Sequence, residues 1–200
     1  YTSGRFDLTL TVKKPELWSI ENPALYRVSQ QVWVQDQMVD ERVTSFGIRT
    51  IECDSQEGFK LNGKPMLLKG LCMHHDNYML GAAAYPRAEE RRVEIAKAAG
   101  YNAVRCSHNP PSSAFLDACD RLGLLVIDEA FDQWARKKNR QDYHLYFNDW
   151  WQRDLAGMIL RDRNHPSVVI WSIGNEIPEQ RSQVGADITA KMVALIKSLD

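Results

Sequence analysis

The sequence contains no apolar run close to the roughly 20 residues that a membrane-spanning helix needs, so no membrane partner is expected. It also lacks a surplus of charge, because 25 Lys and Arg residues against 26 Asp and Glu residues leave a net charge of −1. A chain so close to neutral has no electrostatic footprint for a nucleic acid, which we exclude as a partner. No C-x-x-C pair is present, and the scattered cysteines predict buried free thiols: Cys53, Cys72, Cys106 and Cys119.

Several catalytic motifs are missing as well. There is no G-x-S-x-G nucleophile elbow, no H-E-x-x-H helix and no glycine-rich loop that could cradle a phosphate. A zinc site is the alternative raised by four side chains that are metal ligands by type: His74, His75, Asp76 and His108. Adjacent side chains on a strand point to opposite sides, so His74 and His75 cannot easily share one ion. We therefore expect no metal and no other cofactor.

The residues that are present have a globular composition, with 44% hydrophobic and 26% charged. Residues 1–54 alternate apolar and polar side chains, a pattern typical of β-strands. One such series is Phe6, Leu8, Leu10 and Val12. The segment is too short for a whole β-sandwich, so we interpret it as the last part of one. Asn62-Gly63 then predicts a type I′ hairpin turn within residues 59–68.

Residues 55–200 follow a different pattern, in which strands alternate with amphipathic helices. Four strand–helix units are predicted, with strands at 66–72, 103–106, 124–127 and from residue 167. Such alternation indicates a parallel sheet with right-handed crossovers. Periodicity leaves two architectures open, a small doubly wound domain and the first half of a (β/α)8 barrel.

The last of these strands is an apolar run without alternation, as in a strand buried on both faces, and it ends in Asn175 and Glu176. The other strands also end in polar residues, which are His74-His75-Asp76, Arg105 with Ser107-His108-Asn109, and Asp128-Glu129. The C-terminal ends of parallel strands share one rim of the sheet, so these groups predict a common active site. The long basic connection 131–147 either shapes that site or is a solvated surface loop.

Glu176 is the predicted catalytic centre. Beside the aromatic Trp171, its carboxyl group suits a general acid. Cleavage of a glycosidic bond fits such a group, because the departing alkoxide has to be protonated as the bond breaks. A retaining enzyme also needs a second carboxylate roughly 5 Å away, and Asp128 and Glu129 are the candidates. The residues alone leave this second carboxylate open, since both candidates can equally well be hydrogen-bond partners of Arg105.

Several stretches of the chain together resemble glycoside hydrolase family 2, the group of β-galactosidases, β-glucuronidases and β-mannosidases. The family's acid/base motif is similar to Trp171-Ser172-Ile173-Gly174-Asn175-Glu176. Further signatures are similar to Phe46-Gly47-Ile48-Arg49, Phe59-x-Leu61-Asn62-Gly63-Lys64-Pro65, Asn102-Ala103-Val104-Arg105-Cys106-Ser107-His108-Asn109-Pro110 and Arg161-Asp162-Arg163-Asn164-His165-Pro166-Ser167. The resemblance extends through nearly the whole chain and is closest to metal-independent bacterial β-galactosidases.

The resemblance implies an immunoglobulin-like β-sandwich, of which residues 1–54 are the C-terminal part. Residues 55–200 are then the first four strand–helix units of a (β/α)8 TIM barrel, the N-terminal half of a catalytic domain. The implied site roles are acid/base for Glu176, substrate binding for Asn175, His74, His108 and Trp171, and support of the pocket for Arg105, Asp128 and Glu129. Arg105 matches the arginine that keeps the family's nucleophile ionised.

In the family that nucleophile is a glutamate on the seventh barrel strand. These 200 residues do not reach it, so we expect them to be inactive alone. Metal-dependent β-galactosidases of the family carry a Glu and a His that bind magnesium beside the acid/base. This chain has Gln133 and Ala135 there, so the resemblance implies no magnesium ion at Glu176.

The resulting hypothesis is a retaining exo-β-glycosidase that removes terminal β-linked sugars, with a β-galactosidase ahead of a β-glucuronidase or a β-mannosidase. The alternative from another class is a non-catalytic carbohydrate-binding protein with a degenerate barrel. Carbohydrate is the expected partner, and a homo-oligomer is left open. The compartment is also open, between the periplasm or exterior of a bacterium and its cytoplasm.

Overall fold

The computed structural model describes residues 7–200, which contain nine β-strands, four α-helices and two short 3₁₀ turns. The strands form three sheets along the chain, which are a hairpin, a small antiparallel sheet and a parallel sheet. Within residues 7–200, every helix is too short or too polar to span a bilayer.

The first sheet is an antiparallel hairpin of β1 (Tyr26–Val34) and β2 (Gln37–Phe46), most of whose side chains are exposed. Residues 7–12 form no strand, although the alternation predicted one, and Phe6 lies outside the described residues. A strand needs a partner to satisfy its backbone, and among the described residues none pairs with this segment. Leu8 and Leu10 are accordingly 84% and 72% exposed.

The second sheet joins β3 (Ile51–Asp54), β4 (Gly58–Leu61) and β5 (Lys64–Pro65) in antiparallel pairs. The predicted type I′ turn is confirmed between β4 and β5, where Asn62 and Gly63 have φ angles of 52° and 74°. The domain boundary after residue 54 stays a prediction, and β3 pairs across it with β4.

The third sheet is parallel and contains β6 (Gly70–His74), β7 (Ala103–Ser107), β8 (Leu125–Glu129) and β9 (Val168–Ser172). These strands lie side by side in sequence order. A doubly wound sheet reverses its strand order at a switch point, so the unbroken order favours half of a barrel. The first strand begins four residues later than predicted, because Met66 still belongs to the preceding hairpin, where its backbone N donates to Phe59 O.

One α-helix follows each parallel strand: α1 (Pro86–Ala98), α2 (Ser113–Leu122), α3 (Phe147–Asp162) and α4 (Gln183–Leu199). Their ends follow from local sequence. Pro86 occupies the first turn of α1, and the Ser112 hydroxyl caps α2 by accepting a hydrogen bond from Phe115 N. Helices α1 and α2 pack against β7 and β8 in one hydrophobic core.

The cysteines correct one prediction. All four are free, and Cys106 of β7 and Cys119 of α2 are buried in the core between the helices and the sheet. Cys53 and Cys72 are exposed. Cys53 lies on the edge strand β3, and Cys72 points to the face of β6 that carries no helix.

The segment before the parallel sheet is fastened to the N-terminal ends of its strands. Trp18 is fully buried, and its indole N–H donates to Asp120 O at 2.8 Å. Arg49 donates to Pro166 O at 2.7 Å and to Val168 O at 2.6 Å. Trp18 and the signature residue Arg49 therefore attach this segment to the parallel sheet, at the opposite end of the strands from the predicted site.

Two glycines in left-handed backbone allow a matched stability test. Gly123 ends α2 at a φ of 71°, and an added Cβ would lie 2.5 Å from Ile20 O, whereas Gly58 has a φ of 72° and nothing within 4 Å. We expect Gly58→Ala to lower the free energy of unfolding by about 1–2 kcal/mol, the cost of the backbone conformation. Gly123→Ala adds a steric clash and should cost about 2–5 kcal/mol. Urea unfolding of the full-length protein measures both, and equal losses would contradict the contact with Ile20.

Candidate active site

Alternation along the parallel strands divides the side chains between two faces of the sheet. Val104, Cys106 and Val126 point toward the helices and are buried in the core. Arg105 and Glu129 occupy the alternate positions and point to the other face. That face lines the inside of the half barrel, and we call it the inner face.

The centre of the inner face is Glu129, whose side chain is fully buried. Arg105 donates to both carboxylate oxygens, from Nε at 2.9 Å and from Nη2 at 2.8 Å. His108 Nδ1 lies 2.7 Å from Oε1, and the Ser172 hydroxyl donates to Oε2 at 2.6 Å. An ionised carboxylate offers about four acceptor positions. The buried charge of Glu129 is therefore both paired and hydrogen-bonded, as burial requires.

Asn175 is joined to this cluster through its side-chain amide. Its Oδ1 accepts from Arg105 Nη2 at 2.9 Å, and its Nδ2 donates to Asp132 Oδ1 at 2.9 Å. Its backbone N donates to Phe131 O at 3.0 Å. A donor on one side and an acceptor on the other fix which way the amide points. Among residues 7–200, the second hydrogen of Nδ2 has no acceptor and is available to a ligand.

The two predicted substrate-binding histidines lie beside each other at the ends of β6 and β7. The rings of His74 and His108 meet edge to face with their centroids 5.1 Å apart. His75 points elsewhere, with Nε2 3.0 Å from Ala82 O. The strand-end geometry thus separates His74 from His75, as the alternation predicts.

Within residues 7–200, potential metal ligands converge at one place, where atoms of Asp117, Asp120 and His165 lie within 4.8 Å of one another. This group is at the N-terminal end of β9, away from the inner-face cluster. Asp120 already accepts from His165 Nδ1 at 2.6 Å and from Ser167 N at 3.0 Å. These contacts give the group a structural role.

Glu176 follows Asn175 in left-handed backbone, with a φ of 45°. Such a conformation costs a non-glycine residue about 1–3 kcal/mol and is concentrated at functional sites. The chain is tightly packed here, since a Cβ on Gly174 would lie 2.6 Å from Ile177 Cγ1. Glu176 is exposed and lines a cleft of about 530 Å³ together with Trp134 and α4. In the described part of the chain its carboxyl group makes no hydrogen bond to the Glu129 cluster.

Two predicted site residues lie on the helix side of the sheet. Asp128 is fully buried and faces Asp162 of α3. Trp171 packs against two hydrophobic cores, the one that contains α1 and α2 and the one that contains α3 and α4. Its indole N–H donates to Asp200 Oδ2 at 2.9 Å. Neighbours along a strand face opposite sides, so the structure does not bring these two residues together with Glu129.

The buried Asp128 predicts a pH-dependent stability. Burial, followed by the charge of Asp162, raises the pKa of Asp128 to about 8. The folded protein therefore keeps a proton that the unfolded chain releases at about pH 4. Because the folded state binds more protons, stability should fall as the pH rises from about 4 to about 8 and then level off.

The matched variant is Asp128→Asn, which has nearly the same size and shape and cannot ionise. Unfolding midpoints of the full-length protein at about pH 5 and about pH 8 measure the effect. We expect the wild type to lose more stability than the variant between these two values. An equal loss in both proteins would show that Asp128 does not titrate in this range.

The two ends of the long connection 131–147 pack against the sheet and helices, whereas most of its basic middle, residues 136–141, is exposed. Phe131, Trp134 and Phe147 are buried in one core. Trp134 Nε1 donates to Ile173 O at 2.7 Å, three residues before Glu176. The ends of the connection therefore border the predicted site, and its exposed middle is a solvated surface.

Three contributors to the cluster were missed at the sequence level: Ser172, Asp132 and Lys138. Ser172 was detectable, because it pairs in register with Glu129 and so faces the same side. Asp132 and Lys138 lie in the irregular connection after β8, where no periodicity indicates which side chains point inward.

The arrangement limits the chemistry of each acid. Glu129 accepts four hydrogen bonds and is held by Arg105, so it is engaged as a structural anion. Asp128 faces the helices, which removes it from the inner face. Glu176 is an exposed carboxyl group one residue beyond Asn175, in the cleft against Trp134 and α4, and can transfer a proton. The two histidines and the Asn175 amide can hydrogen-bond hydroxyl groups of a ligand.

Two family models match this chain. One, described as "Glycosyl hydrolases family 2, TIM barrel domain", matches residues 54–200, and the other, "Glycosyl hydrolases family 2", matches residues 2–49. The β-galactosidase BoGH2A of Bacteroides ovatus is 52% identical over 182 residues, which are 91% of this chain and 21% of that protein.

Solved structures of similar proteins also match this chain. A glycosyl hydrolase family 2 member from Bacteroides cellulosilyticus is 54% identical with a TM-score of 0.90, over 93% of this chain and 24% of that one. The β-glucuronidase of Parabacteroides merdae is 29% identical with a TM-score of 0.79, over 94% of this chain and 24% of that one.

This chain spans about a fifth to a quarter of the length of these relatives. The matches confirm the predicted fold class, the end of a β-sandwich followed by the start of a TIM barrel. The barrel model alone covers well over half of the residues, and the chain therefore belongs to glycoside hydrolase family 2.

Proposed function

We propose that the protein containing this chain is a retaining exo-β-glycosidase with Glu176 as its acid/base. The observation that carries the proposal is the position of Glu176, an exposed carboxyl group directly after Asn175, whose amide is bonded to the Arg105–Glu129 pair. The family membership supports the reaction class.

In this mechanism Glu176 protonates the glycosidic oxygen. At the same time a carboxylate from a part of the protein other than residues 1–200 attacks the anomeric carbon and forms a glycosyl-enzyme. Glu176, now ionised, then takes a proton from a water molecule. That water attacks the same carbon and releases the sugar with its β configuration retained. Two inversions at one centre give net retention, so the same residue serves first as acid and then as base.

The remaining inner-face residues have binding roles in this proposal. The second hydrogen of Asn175 Nδ2 donates to a sugar hydroxyl, and His74 and His108 contact others. Arg105 balances the buried charge of Glu129, with which it forms an ion pair at 2.7 Å. Trp171 is left out of this set, since its contacts are with the helices and Asp200.

A neutral sugar suits this site better than a sugar acid, which favours a β-galactosidase over a β-glucuronidase. A uronate carboxylate needs a cationic partner. Among the described residues, the two cations bonded to the cluster are Arg105 and Lys138, and protein oxygens engage both. The β-galactosidase of Bacteroides ovatus, at 52% identity, supports the same choice.

Hydrolysis of nitrophenyl β-galactoside, β-glucuronide and β-mannoside by the full-length protein tests this function. We expect the galactoside to be cleaved with the highest kcat/KM, and proton NMR of the reaction mixture to show the β-anomer of the free sugar first. Preference for the glucuronide would overturn the choice of sugar. The α-anomer appearing first would overturn retention. Binding of galactose without any hydrolysis would favour the carbohydrate-binding alternative.

A further inference from the structure

The side chain of Lys138 joins the segments that follow β8 and β9. Its Nζ donates to Asp132 O at 2.5 Å, to Asp132 Oδ1 at 2.9 Å and to Asn175 O at 2.7 Å. A lysine ammonium has three hydrogens, and here each has its own oxygen. Lys138 is thus fully engaged by the two segments that border the cluster.

The same two segments are joined by further bonds around this ammonium. Asn175 N donates to Phe131 O at 3.0 Å, and Asn175 Nδ2 donates to the Asp132 oxygen that also accepts from Lys138. Burial acts to raise the pKa of Asp132, but the hydrogen bonds from Asn175 and Lys138 outweigh it and hold the pKa below its ordinary value. Asp132 is therefore ionised and accepts from both.

The bond to Asn175 O leads directly to Glu176. That carbonyl belongs to the peptide group between Asn175 and Glu176. Lys138 therefore helps to fix the orientation of this peptide plane, and with it the direction of the Glu176 Cα–Cβ bond. Glu176 has a φ of 45°, a conformation that an L residue rarely adopts unless its surroundings hold it. The ammonium is one of those surroundings.

We propose that Lys138 is a positioning residue, which aims the Glu176 carboxyl group at the glycosidic oxygen by fixing the Asn175–Glu176 peptide group. The inference rests on the proposed function, because it assigns Glu176 the proton transfer. Lys138 itself acts through Asn175 and Asp132 and is not assigned any contact with the substrate.

The test uses Lys138→Met in the full-length protein, which keeps an unbranched side chain, one atom shorter, and removes the three donors. The control is Lys137→Met, since Lys137 is the adjacent lysine and is exposed. Each variant is assayed with a phenyl and a 2,4-dinitrophenyl β-glycoside of the preferred sugar. Protonation matters for the phenol, which leaves poorly, and hardly matters for the dinitrophenol.

We expect Lys138→Met to lower kcat/KM for the phenyl glycoside by about 10- to 100-fold and for the dinitrophenyl glycoside by less than about threefold. Lys137→Met should change neither. The ratio of the two kcat/KM values is the decisive quantity, because a loss of folded protein lowers both equally and leaves the ratio unchanged. Lys138→Gln is a second variant with the same expected direction.

The outcomes separate this inference from the function on which it rests. A wild-type ratio in both Lys138 variants, with an altered ratio in Glu176→Gln, would overturn the role of Lys138 and leave the glycosidase intact. No hydrolysis by the wild type would overturn the proposed function and the inference with it. A changed ratio in Lys137→Met would also contradict the inference. The effect would then come from removing a positive charge anywhere in the connection, and not from the contacts of Lys138.

Discussion

Glu176→Gln in the full-length protein should lower kcat/KM for a phenyl β-glycoside by about 10²- to 10⁴-fold, the contribution typical of a positioned general acid. The amide has nearly the same size as the carboxyl group but cannot release a proton to the departing phenolate. With a 2,4-dinitrophenyl glycoside the leaving group needs no proton. Its kcat/KM, which reports formation of the glycosyl-enzyme, should therefore stay within about tenfold of the wild type.

A second signature of this variant lies in the later step. Hydrolysis of the glycosyl-enzyme needs Glu176 as a base, so kcat for the dinitrophenyl glycoside should fall much further than its kcat/KM. Rapid mixing should then show a burst of dinitrophenol, because the glycosyl-enzyme accumulates. Equal losses for the two substrates would show that Glu176 does not protonate the leaving group.

Arg105→Met should destabilise the barrel by about 3–5 kcal/mol, the loss typical when one partner of a buried ion pair is removed. Glu129 is fully buried, and Arg105 supplies two of its hydrogen bonds. Without Arg105 the carboxylate would keep only His108 and Ser172 as donors. The unfolding midpoint of the full-length protein in urea measures the loss.

The double variant Arg105→Met, Glu129→Leu distinguishes an uncompensated charge from lost packing. Removing both partners leaves no buried anion, so the double variant should be more stable than Arg105→Met alone. A double variant that loses as much stability as Arg105→Met and Glu129→Leu lose together as single variants would contradict the description of Glu129 as a paired buried anion.

Much of this arrangement could be predicted from the sequence because local rules determine it. The Asn62-Gly63 turn and the Ser112 cap depend on one or two residues, and the structure has both. The Arg105–Glu129 contact follows from two consecutive, neighbouring strands in which both residues occupy positions that face the same side of the sheet. Parallel strands with polar C-terminal ends then gather at one rim, as expected.

Other features depend on contacts that no local pattern encodes. Asp128 was grouped with Glu129 because the two are adjacent, although strict alternation sends them to opposite faces. Lys138 contacts Asn175, which is 37 residues away along the chain, from a connection without regular structure. The strand expected at residues 7–12 shows the converse, since its alternation is clear but the described residues offer no partner strand.

The most direct test of Glu176 as the acid/base is the product that Glu176→Ala forms from a 2,4-dinitrophenyl β-glycoside in sodium azide. Azide attacks the glycosyl-enzyme without help from a base, whereas water needs one. We expect azide to speed turnover of this variant, and not of the wild type, and to give the β-glycosyl azide. Turnover that azide leaves unchanged, with free sugar as the sole product, would contradict the assignment.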